Sequence, residues 1–152
     1  SAGRKVAVTM SDVFCIDRHR PSFIHLIRKH CDLVFCNEAE LLALYETSDF
    51  DSAVNQIRSD SQIAAITRSS KGSLIVSGSD SWVAPVTAAP VVDATGAGDQ
   101  YAAGVLYGVT HGLSLQESAQ LGNLAAGEVI SHIGPRPGAN LRELAMAAGL
   151  KV

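Results

Sequence analysis

Apolar and polar positions along the chain alternate between two periods. Lys5-Val6-Ala7-Val8-Thr9-Met10 alternates and ends in Ser11-Asp12, which predicts a strand running into a turn. Arg18 to His30 carries Phe23, Ile24, Leu26 and Ile27 on one face, an amphipathic helix with Pro21 in its first turn. Asp32 to Cys36 is a short apolar run of the buried-strand type, Asn37 follows at its C-terminal end, and Glu38 to Leu44 starts a helix. Asp49 or Asp51 begins another helix with Val54 and Ile57 inward. Gln62 to Thr67 is the next strand, Arg68 to Gly72 turns, and Ser73 to Val76 returns as a hairpin partner. Gly78 to Ser81 turns again, and Trp82 to Pro85 reads as another strand. Val91-Val92 reads as a short strand before a glycine-rich turn, followed by a helix from about Asp99 to Gly108. Ser114 with Glu117 forms a capping box, opening a helix that runs to about Ser131. Gly134 to Gly138 breaks the pattern, and Leu141 to Ala148 is a last short helix.

Alternating strands and helices predict an α/β fold of three layers, a largely parallel sheet flanked by helices, over residues 1–152 as a single domain. Ligands of such sheets bind beyond the strand C-terminal ends. Asn37, Thr67 and the Gly96 turn are expected there. The composition, 47% hydrophobic and 18% charged, is that of an ordinary globular chain. The net charge of −3 and the absence of a basic stripe argue against a nucleic-acid partner. Three cysteines without a framework predict reduced thiols and a cytoplasmic location. No Cys-x-x-Cys or His-Glu-x-x-His is present to suggest zinc, and the five histidines share no spacing. The apolar runs are too short to span a bilayer, which argues against a membrane partner. No apolar region follows the Ser1–Lys5 opening, so no signal peptide is expected, and the missing initiator Met suggests a start inside a longer protein.

The chemistry concentrates in Asp93-Ala94-Thr95-Gly96-Ala97-Gly98-Asp99. Gly96 and Gly98 allow a tight turn and close ligand approach. The first N–H groups of a helix opening there lack intrahelical partners and favour an anion, most simply a phosphate. Asp99 in the same turn could take a proton from an acceptor hydroxyl while the amides stabilise a moving phosphoryl group. The plainer alternative is that Asp99 is only a cap or a macrodipole partner of the helix. The pattern is not a P-loop, because no Gly-Lys-Ser/Thr follows.

Asp93 to Asp99, followed by Ala103-Gly104, resembles the C-terminal signature of the ribokinase-like (PfkB) carbohydrate and nucleoside kinases. Ala94 is its one departure, at a position that usually holds Thr, Ser, Pro or Val. The resemblance implies Asp99 as the catalytic base and the backbone of Gly96, Ala97, Gly98 and Asp99 as an anion hole. Asn37-Glu38-Ala39-Glu40 resembles the family's Asn-x-x-Glu motif, which implies that Asn37 and Glu40 support Mg2+ and phosphates, largely through water. The alternative for this pair is a helix cap with a surface or first-turn acid. Thr67-Arg68-Ser69-Ser70-Lys71-Gly72 resembles the Thr-x-Gly-x-x-Gly loop on the ATP phosphates, with Ser69 in place of the first Gly; a simple β-turn is the alternative. Asn123 resembles the helix Asn beside the adenine pocket, or is a polar residue at a packed helix face. Gly134 matches the glycine of the loop closing over the nucleotide. In some members that loop, with backbone matching Asp93 and Thr95, holds a monovalent cation, which is a further candidate cofactor.

The resemblance covers the chain but only the second half of a family member. It implies the ATP-binding half of a kinase acting on a sugar or nucleoside hydroxymethyl group. The Arg4–Ala7 opening and Tyr45–Phe50 are most similar to adenosine-kinase-like members. The expected partner is the N-terminal half of the same kinase. Alternatively, the chain alone is a nucleotide-binding module without activity. The face left by the missing half is expected to be apolar, and a homodimer is one way to cover it.

Overall fold

The computed structural model describes residues 3–152. Ser1 and Ala2, at the head of the opening from which no signal peptide is expected, lie outside the described residues. A mixed five-stranded sheet with flanking helices has the order β1 (Ala7–Thr9), β2 (Leu33–Asn37), β3 (Ile63–Thr67), β4 (Ser73–Ser77) and β5 (Asp80–Ala84). The first three strands are parallel. Only residues 68–72 and 78–79 join the last three, too few for a parallel crossover, so these turn back as hairpins. The chain divides into two compact units, Ser1–Arg68 with Ile75–Ser81 and Ser69–Leu74 with Trp82–Val152.

In the first unit, α1 (Val13–His30) connects β1 to β2, and α2 (Glu38–Leu44) with α3 (Phe50–Asp60) connects β2 to β3. The strands follow one another in sequence order, so right-handed crossovers put all three helices on one face of the sheet. There α1 packs against both α2 and α3. Ile16, Ile27, Leu41, Leu44, Ala53 and Ile57 fill that layer. Leu33, Val34, Phe35 and Cys36 of β2 are all buried, the unbroken apolar run expected of a parallel strand.

The second unit is built on α4 (Ala97–Thr110) and α5 (Leu115–Val129), with α6 (Leu141–Ala147) against α5. The first two helices meet backbone to backbone. A Cβ on Gly104 would stand 2.7 Å from Gly122 Cα, and one on Gly122 would stand 2.8 Å from the Tyr101 ring. Leu121, Ala145 and Leu150 form a small apolar cluster completed by Leu113 and Val152.

Three expectations need correction. The first helix begins at Val13, not Arg18, because Asp12 caps it by accepting from Cys15 N–H. It is kinked at His19 (φ −129°, ψ 21°), where the missing N–H of Pro21 interrupts the ladder. Val91 and Val92 form no strand: they are 74% and 56% exposed, and Ile130 O takes the N–H groups of Val92 and Asp93 instead. The glycine turn therefore follows an irregular segment rather than a strand end. The helix after it starts at Ala97, two residues before Asp99.

Candidate functional site

The glycine turn is the N-terminus of α4. Gly96 is its N-cap at φ +82°, a left-handed conformation, and offers no side-chain cap. Ala97 N–H is taken by Ala94 O at 3.2 Å, and Gln100 N–H by Gly96 O at 2.9 Å. The amides of Gly98 and Asp99, between them, are the remaining orphan donors of the helix. A Cβ on Gly98 would meet nothing within 4 Å. Glycine in a helix costs about 0.5–1 kcal/mol against alanine, and no packing among the described residues explains it there. The space it leaves suits a ligand approaching the amides. Asp99, exposed in this first turn, has no hydrogen-bond partner among the described residues. A donor pair with a solvent-facing carboxylate can bind an anion and accept a proton.

A loop from His132 to Ala139 lies over this turn. A Cβ on Gly96 would stand 2.7 Å from Pro135 Cβ, and Gln100 Nε2 donates to Pro135 O at 3.2 Å. Asp93 ties the loop's root: its carboxylate accepts from Thr95 N–H at 2.9 Å and from Gly134 N–H at 3.1 Å. The Thr95 side chain and these two amides hold the Asp93 carboxyl below its ordinary value. Gly134, predicted from the sequence, is thus joined to the glycine turn through Asp93. Pro135, Gln100 and the Asp93 carboxylate are parts of the site that sequence reasoning missed. The available signal was the invitation of an acidic side chain two residues before a turn to cap it.

Gly72 and Asn123 meet on a second feature of the same unit, the exit from β5. Asn123 is buried, and its amide donates to Ala84 O at 3.0 Å and Pro85 O at 2.8 Å. Gly72, at φ +81°, passes so close to this segment that a Cβ would lie 2.9 Å from Pro85 C and from Val86 N. Ser69 precedes it in a 3-10 turn at φ +51°, with Gly72 N–H bonded to Ser69 O.

In the first unit the register pairs Asn37 with Thr67, so both stand at the C-terminal ends of neighbouring parallel strands, as the sequence predicts. Asn37 caps α2 and forms a capping box with Glu40. Asn37 Oδ1 accepts from Glu40 N–H at 2.8 Å, while the Glu40 carboxylate accepts from Asn37 N–H at 2.9 Å and Nδ2 at 2.7 Å. Glu40 is buried rather than a surface acid. Burial raises its pKa against the opposing Asn37 N–H, and the charge of Asp12 adds to the rise. Each oxygen keeps a lone pair, which suits a hydrated magnesium ion held through water. Beside them Arg68 pairs with Glu38 at 3.1 Å and lies over the Phe50 ring at 3.7 Å. Among the described residues no group of three or more His, Cys, Asp or Glu could hold a metal directly, all three thiols are free, and no helix is long and apolar enough to cross a membrane.

A family model described as pfkB family carbohydrate kinase matches residues 4–141. Among solved structures, an adenosine kinase from Sinorhizobium meliloti superposes with a TM-score of 0.93 at 49% identity, covering 96% of this chain and 45% of that one. A probable sugar kinase from Rhizobium etli gives 0.95 at 48% identity, covering 97% and 45%. A cytidine kinase from Thermococcus kodakarensis is 30% identical over 136 residues, 87% of this chain and 49% of its own length. The chain spans about half the length of these relatives.

Proposed function

This chain belongs to the pfkB family of carbohydrate kinases, and from that premise we propose that it supplies the ATP-binding half of a kinase for a sugar or nucleoside hydroxymethyl group, adenosine-like in its acceptor. The observation that carries the proposal is the opening of α4: two orphan amides, a glycine facing open space, and an Asp99 carboxylate without a partner among the described residues, in one turn. The amides of Gly98 and Asp99 stabilise charge on the phosphoryl group, and Asp99 accepts the acceptor's proton. Thr67, Ser69 and Gly72 face the phosphates, and Gly134 lies in the loop over the nucleotide. Asn123 shapes the nucleotide pocket by fixing the β5 exit. Asn37 and Glu40 would hold Mg2+ through water; bound there, the ion neutralises phosphate charge. The likeness to an adenosine kinase at 49% identity supports the acceptor class.

The test is Asp99→Asn in the full-length protein, assayed with adenosine and MgATP. The expected loss in kcat is about 10²- to 10⁴-fold, with ATP affinity retained. A variant that turns over at the wild-type rate would remove Asp99 as the base.

The coverage favours a second reading for the 152 residues by themselves: they bind nucleotide without transferring phosphate, because about half of each relative has no counterpart in them.

A further inference from the structure

Loop 132–139 is held at both ends by carboxylates. Asp93 takes the Gly134 end, as described above. Glu128, in the last turn of α5, takes the other: its Oε1 accepts from Gly138 N–H and Ala139 N–H, both at 2.9 Å. The same oxygen lies 3.3 Å from His132 Nε2. The Glu128 side chain is only 10% exposed, and Oε2 is buried without a hydrogen-bond partner. Burying a carboxylate with one oxygen unsatisfied opposes folding. Against that, two charge-assisted bonds to consecutive amides fix the loop far more firmly than water would. Between the anchors sits Pro135, against Gly96 and bonded through its carbonyl to Gln100. A displacement at Gly138 is therefore carried to the turn that presents the Gly98 and Asp99 amides.

We infer that Glu128 is a positioning residue for the Gly96–Asp99 turn, acting through loop 134–139, which its carboxylate holds against that turn by the Gly138 and Ala139 amides. The inference rests on the phosphoryl-transfer reading of the turn. With Glu128 removed, the Asp93 and Gln100 bonds remain and the loop swings about them. Shifting a reacting geometry by about 1 Å can cost about 10²-fold in rate.

Three variants of the full-length protein test this by amide hydrogen exchange and steady-state kinetics. Glu128→Ala removes the acceptor. Glu128→Gln keeps an acceptor oxygen for both amides. Gly138→Pro removes one donor and puts its ring Cδ where that N–H points, 2.9 Å from N to Glu128 Oε1, so the ring also pushes the carboxylate off the loop. Glu128→Ala is expected to speed exchange at Gly138, Ala139 and also at the hydrogen-bonded amides of the turn, Ala97 and Gln100, and to lower kcat about ten- to a hundredfold with the KM for adenosine unchanged. Glu128→Gln should recover most of that loss, and Gly138→Pro should reproduce it. A purely structural role would leave exchange at Ala97 and Gln100, and kcat, at wild-type values in the folded protein, which overturns the inference. So would a Glu128→Gln variant as impaired as Glu128→Ala. If Glu128→Ala does not fold, unchanged exchange and kcat in Gly138→Pro overturn it equally. Asp99→Asn in the same series separates the two readings: retained turnover there sinks the phosphoryl-transfer reading, while exchange at Ala97 and Gln100 in Glu128→Ala still decides whether Glu128 holds the turn.

Discussion

Ser69 stands at φ +51°, where an L side chain is strained, and Gly72 three residues on stands at φ +81°. The two positions carry opposite predictions. The left-handed conformation costs Ser69 about 1–2 kcal/mol, and the greater freedom of glycine in the unfolded chain takes back about 0.4–1 kcal/mol. Ser69→Gly should therefore raise stability by about 0.5–1 kcal/mol, read as a higher urea midpoint with unchanged slope. Gly72 combines the same backbone constraint with a backbone neighbour that cannot give way, Pro85–Val86. Gly72→Ala should cost about 2–4 kcal/mol from strain and overpacking together. A neutral Gly72→Ala would mean that the exit from β5 is not held against the turn.

At the scale of elements, the capping box of α2 makes stability depend on pH. Burial raises the Glu40 carboxyl above its ordinary value of 4.5. Between 4.5 and that raised value the folded chain holds a proton that the unfolded chain has lost. Stability from this group is fully present below the window and falls as pH rises through it. The thermal midpoint of wild type minus that of Glu40→Gln should thus decrease as pH climbs through the window. Saturating MgATP should flatten this slope, because a nearby cation favours the ionised carboxylate. A slope untouched by MgATP would take Glu40 out of the magnesium site. This box was legible in the sequence because its bonds join residues three apart, and so was the Ser114–Glu117 box of α5. The β2 and β3 strands were legible as unbroken apolar runs. Elements fixed by distant partners were not. Two valines after Pro90 read as a strand, yet their segment is tied to one carbonyl in another part of the chain, Ile130 O. The first turns of α1 were hidden because Ser11-Asp12 after an alternating run reads as a turn closing a strand, whereas Asp12 is the cap of the helix and Ser11, at φ +69°, bends the chain into it. Glu128 gave no sign at all, since the N–H groups that donate to it lie ten and eleven residues away.

For the whole molecule, the question is what 152 residues do when their relatives are about twice as long. The glycine turn, its overlying loop and the Asn123 clamp lie within one compact unit, bonded to one another or to backbone of that unit. None of these bonds needs residues outside the chain. The nucleotide machinery should therefore survive in the isolated chain, while acceptor binding, in which only Asp99 of this chain has a proposed part, should not. A calorimetric titration with MgATP, made after circular dichroism confirms a folded chain, is expected to saturate. Asn123→Ala, which releases the Ala84 and Pro85 carbonyls, is expected to weaken it. Adenosine added with MgATP should give no turnover by the chain alone, whereas the full-length protein should turn over. Robust turnover by the isolated chain would place the acceptor site inside these residues and overturn the division of labour. A folded chain that binds no MgATP, beside a full-length protein that does, would mean that the pocket is completed by residues beyond it.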